Sequence, residues 1–115
     1  MLLPALHRYS VTFTPDSQYL ISGSADHFVV VWNVTDSFAH FRLPGGHSNE
    51  VNSVAASQDG RFVVSGGDDE TVRVWSTRTW TEVQTLHGSG YALSVAVSAD
   101  ARFVLSSWSS GTVKI

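Results

Sequence analysis

One segment occurs three times in this chain, and that recurrence limits its fold more than any other feature. Tyr19-Leu20-Ile21-Ser22-Gly23-Ser24-Ala25-Asp26 aligns with Phe62-Val63-Val64-Ser65-Gly66-Gly67-Asp68-Asp69. Val29-Val30-Val31-Trp32 aligns with Val72-Arg73-Val74-Trp75, and one spacing of 43 residues relates Asp16 to Asp59, Asp26 to Asp69 and Trp32 to Trp75. A third copy runs from Ser98 to Ser106 at a spacing of 41 and ends in Gly111-Thr112-Val113-Lys114-Ile115, the match of Glu70-Thr71-Val72-Arg73-Val74. A unit of this length cannot bury its apolar face alone, so successive units must stack.

Within each unit the pattern reads as short strands between turns. Arg8 to Phe13 alternates apolar and polar residues, as a half-buried strand does. Thr14-Pro15-Asp16-Ser17 is a turn, because Pro15 presets φ and Asp16 can bond its own backbone. Tyr19 to Ser22 is nearly continuous in apolar residues, as expected of a strand covered on both faces. A turn at Ser24 to His27 leads to a β-branched strand, Phe28 to Val34, and a more polar outer strand follows at Phe38 to Leu43. The second unit predicts strands at Glu50–Ala56, Arg61–Ser65, Thr71–Ser76 and Trp80–Leu86. The third predicts Tyr91–Val97, Arg102–Ser106 and a strand starting at Thr112. No segment has the spacing of an amphipathic helix. The reading is one all-β array.

Four strands per unit at this period form a propeller blade, and the residues carry a family resemblance. The Gly46-His47 pair, Ser65, Asp69 and Trp75 resemble the Gly-His dipeptide, second-strand serine, turn aspartate and third-strand tryptophan of a WD40 repeat. The family's closing Trp-Asp reads Trp75-Ser76 and Trp32-Asn33 here. The fold expected is a partial WD40-type β-propeller of about 2.5 four-stranded antiparallel blades. Its units are residues 1–43, 44–87 and 88–115, the last truncated before its fourth strand. A whole propeller needs roughly 4–8 such blades. The chain is therefore expected to be a fragment of a larger protein, or to assemble from several copies.

His47, Ser65 and Asp69 have the residue types of a hydrolase triad, with Ser65 as nucleophile and His47 as base. The resemblance implies a different role, a structural tetrad in which Trp75 bonds Ser65, Ser65 bonds His47 and Asp69 holds His47. Two features favour the tetrad. A partial set, Ser22, Asp26 and Trp32, recurs in the first unit, and no Gly-x-Ser-x-Gly elbow surrounds Ser65. The counterpart of His47 is Pro4 in the first unit and Gly88 in the third, where Ser106 and Ser110 stand for Ser65 and Asp69. Only the second unit has the full set.

Other candidates are weaker. Asp68-Asp69-Glu70 lacks the spacing of a calcium loop. The histidines at 7, 27, 40, 47 and 87 have no close pairing for zinc, and neither Gly45-Gly46 nor Gly66-Gly67 ends as a phosphate loop does. No cofactor or metal is expected. Trp80 is placed on an outer strand, where it either packs on a neighbour or anchors a partner. Trp108 falls in a turn where its counterparts Gly67 and Ser24 are small, with the same two readings. Net charge is −3 with 7 scattered basic residues, which speaks against nucleic acid and a membrane surface. The absence of cysteine fits an intracellular chain, cytoplasmic or nuclear. Met1 to Leu6 lacks the basic lead of a signal peptide.

The function expected is that of a non-catalytic scaffold for protein or peptide partners. The resemblance implies docking on the loops between blades and between second and third strands. Asn49, Asp68, Glu70 and Trp108 are the candidate partner-binding residues there. The alternative is a non-functional or regulatory piece of a multidomain protein whose activity lies elsewhere. Uncovered blade faces and an open Val-rich strand edge predict self-association or marginal stability for the isolated chain.

Overall fold

The structure is a computed structural model that describes residues 9–111 and 113–114. It is built of strands and turns. The first sheet holds β1 (Tyr9–Phe13), β2 (Tyr19–Ser24), β3 (Val29–Asn33) and β4 (Ala39–Arg42). The second holds β5 (Val51–Ala56), β6 (Phe62–Gly67), β7 (Thr71–Ser76) and β8 (Glu82–His87). The third holds β9 (Ala92–Val97), β10 (Val104–Trp108) and β11 (Val113–Lys114). Each sheet is an antiparallel meander in chain order, and the described residues contain no helix.

The sheets stack in sequence through their first strands. β5 packs on β1 and β2, and β9 packs on β5, β6 and β7. Ile21, Val31, Val51, Val54, Val63 and Trp75 form the core between the first and second sheets. Val64, Val72, Ala92, Val95 and Trp108 form the core between the second and third. Val63 and Val64 are adjacent on β6 and both fully buried. One faces each neighbour, which is why the second strand of each unit is an apolar run rather than an alternation.

The turns carry the repeat as well. Ser17, Gly60 and Ala101 are counterparts, and all three have left-handed backbones, with φ of 59°, 78° and 61°. His27, Glu70 and Gly111 form a second such set at 77°, 66° and 89°. Ser37 and Trp80 form a third at 51° and 54°. At the first turn of each unit a hydroxyl and an aspartate lock the backbone. Thr14, Ser57 and Ser98 donate from Oγ to Asp16, Asp59 and Asp100 at 2.6, 2.6 and 2.7 Å. The same oxygens accept the N–H of Tyr19, Phe62 and Phe103 at 3.2, 2.9 and 3.0 Å.

Several strand limits differ from those read in the sequence. The second strands run two residues further, to Ser24, Gly67 and Trp108. A register shift between Val51 and Ser53 lets β5 follow β6 to Gly67, and Asp68 N–H then donates to Glu50 O at 2.8 Å. β4 starts at Ala39 because Ser37 and Phe38 are left-handed. Trp80 is not on the outer strand. Its φ of 54° places it in the turn, and β8 begins at Glu82. The positions Pro4, Arg8 and Thr112 lie outside the described residues.

Candidate interaction face

The second sheet holds one buried chain of hydrogen bonds, built from two of its strands, the turn between them and the loop ahead of the sheet. Trp75 on β7 donates Nε1–H to Ser65 Oγ on β6 at 2.9 Å. His47 Nε2 lies 2.7 Å from the same oxygen, and His47 Nδ1 lies 2.9 Å from Asp69 Oδ1. One assignment of protons satisfies every member. The indole donates to Ser65, the Ser65 hydroxyl donates to Nε2, and Nδ1–H donates to the Asp69 carboxylate.

Asp69 is anchored from further sides. Thr71 Oγ1 donates to its Oδ1 at 2.8 Å, the Ser48 N–H to its Oδ2 at 3.2 Å, and the Arg73 guanidinium stands 3.6 Å away. Burial pushes the Asp69 carboxyl up, but the His47 hydrogen bond and charge, with Thr71 and the Ser48 amide, hold it below the usual 3.8. Burial pushes His47 down, and this outweighs the upward pull of Asp69. The imidazole is therefore neutral near pH 7, in keeping with the proton assignment. Ser65 is fully buried between the indole and the imidazole.

The other sheets share only parts of this chain. In the first, Trp32 Nε1–H donates to Ser22 Oγ at 2.9 Å. Asp26 stands apart from that pair and accepts the hydroxyl of Ser24. In the third, Trp108 Nε1–H donates to Ser106 Oγ at 2.9 Å. The reading of Trp108 as an exposed partner anchor is corrected here: it is 3% exposed and belongs to the core. Its ring covers Gly88, where a larger residue would exclude it. Trp80 also packs inward, edge-on to Tyr19 at 5.4 Å and to Phe41 at 5.9 Å between centroids.

The loops beside the chain carry the remaining candidates. Asn49 and Glu70 are exposed. Asn49 Oδ1 accepts the Glu50 N–H at 2.8 Å, and Glu70 Oε1 accepts the Gly90 N–H at 3.2 Å. Asp68 is half-buried and accepts Asn52 Nδ2–H at 2.6 Å, while the same amide reaches Ala92 O at 3.1 Å in the third sheet. Sequence reasoning missed Thr71 and Asn52. Thr71 follows Asp69 by two residues, the spacing at which a short hydroxyl and carboxylate bond locally. Among the described residues no group of three or more His, Cys, Asp or Glu could hold a metal ion.

Comparison with known proteins settles the family. The model for the WD domain, G-beta repeat, matches residues 7–33, 39–76 and 80–115. The chain belongs to the WD40 repeat family. Its sheets are consecutive WD40 blades, and the family supports a scaffold type of function, generally without catalysis, directed at protein partners. Among curated relatives, a Denticleless protein homolog of Danio rerio is 48% identical over 44 residues, 38% of this chain and 7% of that protein. The U5 small nuclear ribonucleoprotein 40 kDa protein of Mus musculus is 40% identical over 48 residues, 42% of this chain and 13% of its own length. The match thus spans a small part of either relative. Among the described residues of this WD40 chain, no helix is long and apolar enough to cross a membrane.

Proposed function

We propose that this chain is a non-catalytic docking scaffold whose partner-binding face is the loop cluster of the second blade, with Asn49, Asp68 and Glu70 on it. The observation that carries the reading is the buried chain Trp75–Ser65–His47–Asp69. It ties the loop of His47 to the turn of Asp69, so Asn49 and Glu70 are displayed on a rigid support, and a preordered loop loses less entropy on binding. The same chain supports the absence of catalysis, since a nucleophile must meet substrate and Ser65 is enclosed. The face carries carboxylates, which favours a basic or donor-rich peptide segment. The repeat units are taken as residues 1–43, 44–87 and 88–115, a division supported by sheets that end at Arg42 and His87. An intracellular setting, cytoplasmic or nuclear, is supported by the relative named as a component of a small nuclear ribonucleoprotein.

The test is to capture partners on the immobilised chain and on Glu70→Lys and Asn49→Ala variants, with melting temperatures measured alongside. Loss of the same captured partner from both variants at unchanged melting temperature supports this face. Capture that survives both substitutions overturns it.

A further inference from the structure

The counterpart turns at Asp16, Asp59 and Asp100 share one hydroxyl lock but differ in the residue after the aspartate: Ser17, Gly60 and Ala101. Asp59-Gly60 is the only Asp-Gly pair in the chain. Such a pair is chemically labile, because glycine has no side chain to obstruct attack of its nitrogen on the aspartate before it. The N–Cγ bond forms, a Cγ–O bond breaks, and the carboxyl hydroxyl leaves with the amide proton as water. Water then opens the cyclic imide. Opening at Cγ restores aspartate. Opening at the main-chain carbonyl leaves isoaspartate, with the chain routed through Cβ and Cγ and the carboxylate on Cα. The sum is an isomerisation and consumes no oxidant or cofactor.

The step needs a free nitrogen, a mobile side chain and a protonated carboxyl. The folded turn denies each of them. Gly60 N–H donates to Ser57 O at 3.0 Å. Asp59 Oδ1 accepts the Ser57 hydroxyl at 2.6 Å and the Arg61 N–H at 3.0 Å. The Ser57 bond first, then those from Arg61, hold the carboxyl down at about 2, so it is ionised at neutral pH. Thr77 Oγ1 donates to Gly60 O at 2.5 Å and pins the carbonyl beyond. Asp59 also has a clamp that its counterparts lack. Arg61 Nε–H donates to its Oδ2 at 2.8 Å, whereas Gln18 and Arg102 hold Asp16 and Asp100 through backbone N–H groups, at 3.0 and 3.1 Å. The additional bond falls at the turn whose aspartate precedes glycine.

We propose that Asp59-Gly60 is a latent isomerisation site, held shut by the folded turn and opened when the turn is lost, so that isoaspartate at position 59 records unfolding of the second blade. The product does not fit back. Its carboxylate is one carbon nearer the backbone and its main chain one carbon longer, so it cannot accept from Ser57 and Arg61 together. The turn joins the strands that carry the contacts to both neighbours. On β5, Val54 N–H donates to Ser10 Oγ of β1 at 3.1 Å and the Val54 side chain lies against Gly23, while Ser53 Oγ accepts the Val95 N–H of β9 at 3.2 Å. On β6, Val63 and Val64 are fully buried. Isomerisation therefore keeps the blade open once it has opened.

Isoaspartate at 59 is measured by electron-transfer fragmentation of its peptide, in chains aged at neutral pH with and without guanidinium chloride. It is expected to form at least about tenfold faster in denaturant, the factor set by a turn-opening free energy of roughly 1.4 kcal/mol. Positions 16 and 100 should lag far behind in both conditions. Equal rates with and without denaturant overturn the proposal, as do equal rates at Asp59 and Asp100 in denaturant. Without denaturant, Ser57→Ala is expected to raise the rate severalfold. That variant also removes the acceptor of Phe62 N–H, so Arg61→Gln separates the lock from global stability. It alters a side chain that is 70% exposed and removes the clamp on Oδ2 alone. A faster rate at unchanged melting temperature is expected. A rate unmoved by both substitutions overturns the lock.

Discussion

The indole of Trp108 lies against Gly88 so closely that a Cβ on residue 88 would stand 2.4 Å from its Cη2 and Cζ3. In the second blade the sizes are exchanged. There the counterpart of Trp108 is Gly67, the counterpart of Gly88 is His47, and a Cβ on Gly67 would stand 2.9 Å from His47 Nδ1. One space beside the blade serine is filled from the loop in one blade and from the strand in the next. A ring nitrogen reaches the serine in both, at 2.7 Å from His47 and 2.9 Å from Trp108.

Gly88→Ala should therefore displace Trp108 and cost about 1–3 kcal/mol, the range for overpacking a filled site. Pairing Gly88→His with Trp108→Gly recreates the arrangement of the second blade and should recover part of that loss. Urea denaturation followed by tryptophan fluorescence measures both. Equal stability of Gly88→Ala and the parent chain would refute the packing argument.

Ser65→Ala strands the indole N–H of Trp75 and the Nε2 of His47 at once. A buried polar group left bare costs about 1–3 kcal/mol, so this change should be among the most damaging single-atom deletions in the chain. Adding Trp75→Phe removes one of the stranded groups. The double variant should then lose less than the sum of the two single changes. A double-mutant cycle gives the coupling, and simple additivity would show that the bonds act independently.

Acid should unfold the chain in two stages. Burial holds the folded His47 value below its ordinary 6.5, so below that pH the unfolded chain binds more protons and stability falls as the pH drops towards the folded value. Asp69 acts later. Its folded value is depressed, so its contribution is present above 3.8 and is lost as the pH falls through the folded value. Asp59 is also depressed, to about 2, held down first by the Ser57 hydroxyl. Thermal melts across this range should show the first stage vanish in His47→Gln and the second shrink, because His47 is the first of the groups that hold Asp69 down. A first stage unchanged by that substitution would assign it to another group.

Trp80 combines a left-handed backbone with ring packing on Tyr19 and Phe41. Trp80→Gly loses the packing but relieves the backbone, whereas Trp80→Ala loses the packing and keeps most of the strain. Both should lower the melting temperature, and alanine should be worse by about 1 kcal/mol. The reverse order would mean that the turn opens once the indole is gone.

The family, the all-β class and the order of strands were legible because the repeat spacing aligns like with like. Ser65, Asp69 and Trp75 stood out for the same reason, since each has a counterpart of the same type one unit earlier. Trp108 was misplaced because its position is judged by its neighbours in sequence. Gly67 and Ser24 suggest an open turn there, and the space it fills exists only because residue 88 across the blade is glycine. Trp80 was misplaced because a bulky residue at positive φ runs against backbone preference. Only its counterpart Ser37, a common turn residue, hints at the geometry. The hydroxyls of Thr14, Ser57 and Ser98 were readable in principle, each two residues ahead of an aspartate, but they carry no apolar pattern to draw attention.

The cross-blade bonds give β5 a means of recognising its own alignment. Ser53 accepts from the blade that follows, and Val54, its neighbour in the chain, donates to the blade before. A slip of one residue would turn each to the wrong side. In one direction the Ser53 hydroxyl would take the place of Val54 against Gly23, and in the other Val54 would stand where Ser53 accepts from β9. Each direction of slip is thus opposed by one member of a single pair of adjacent residues.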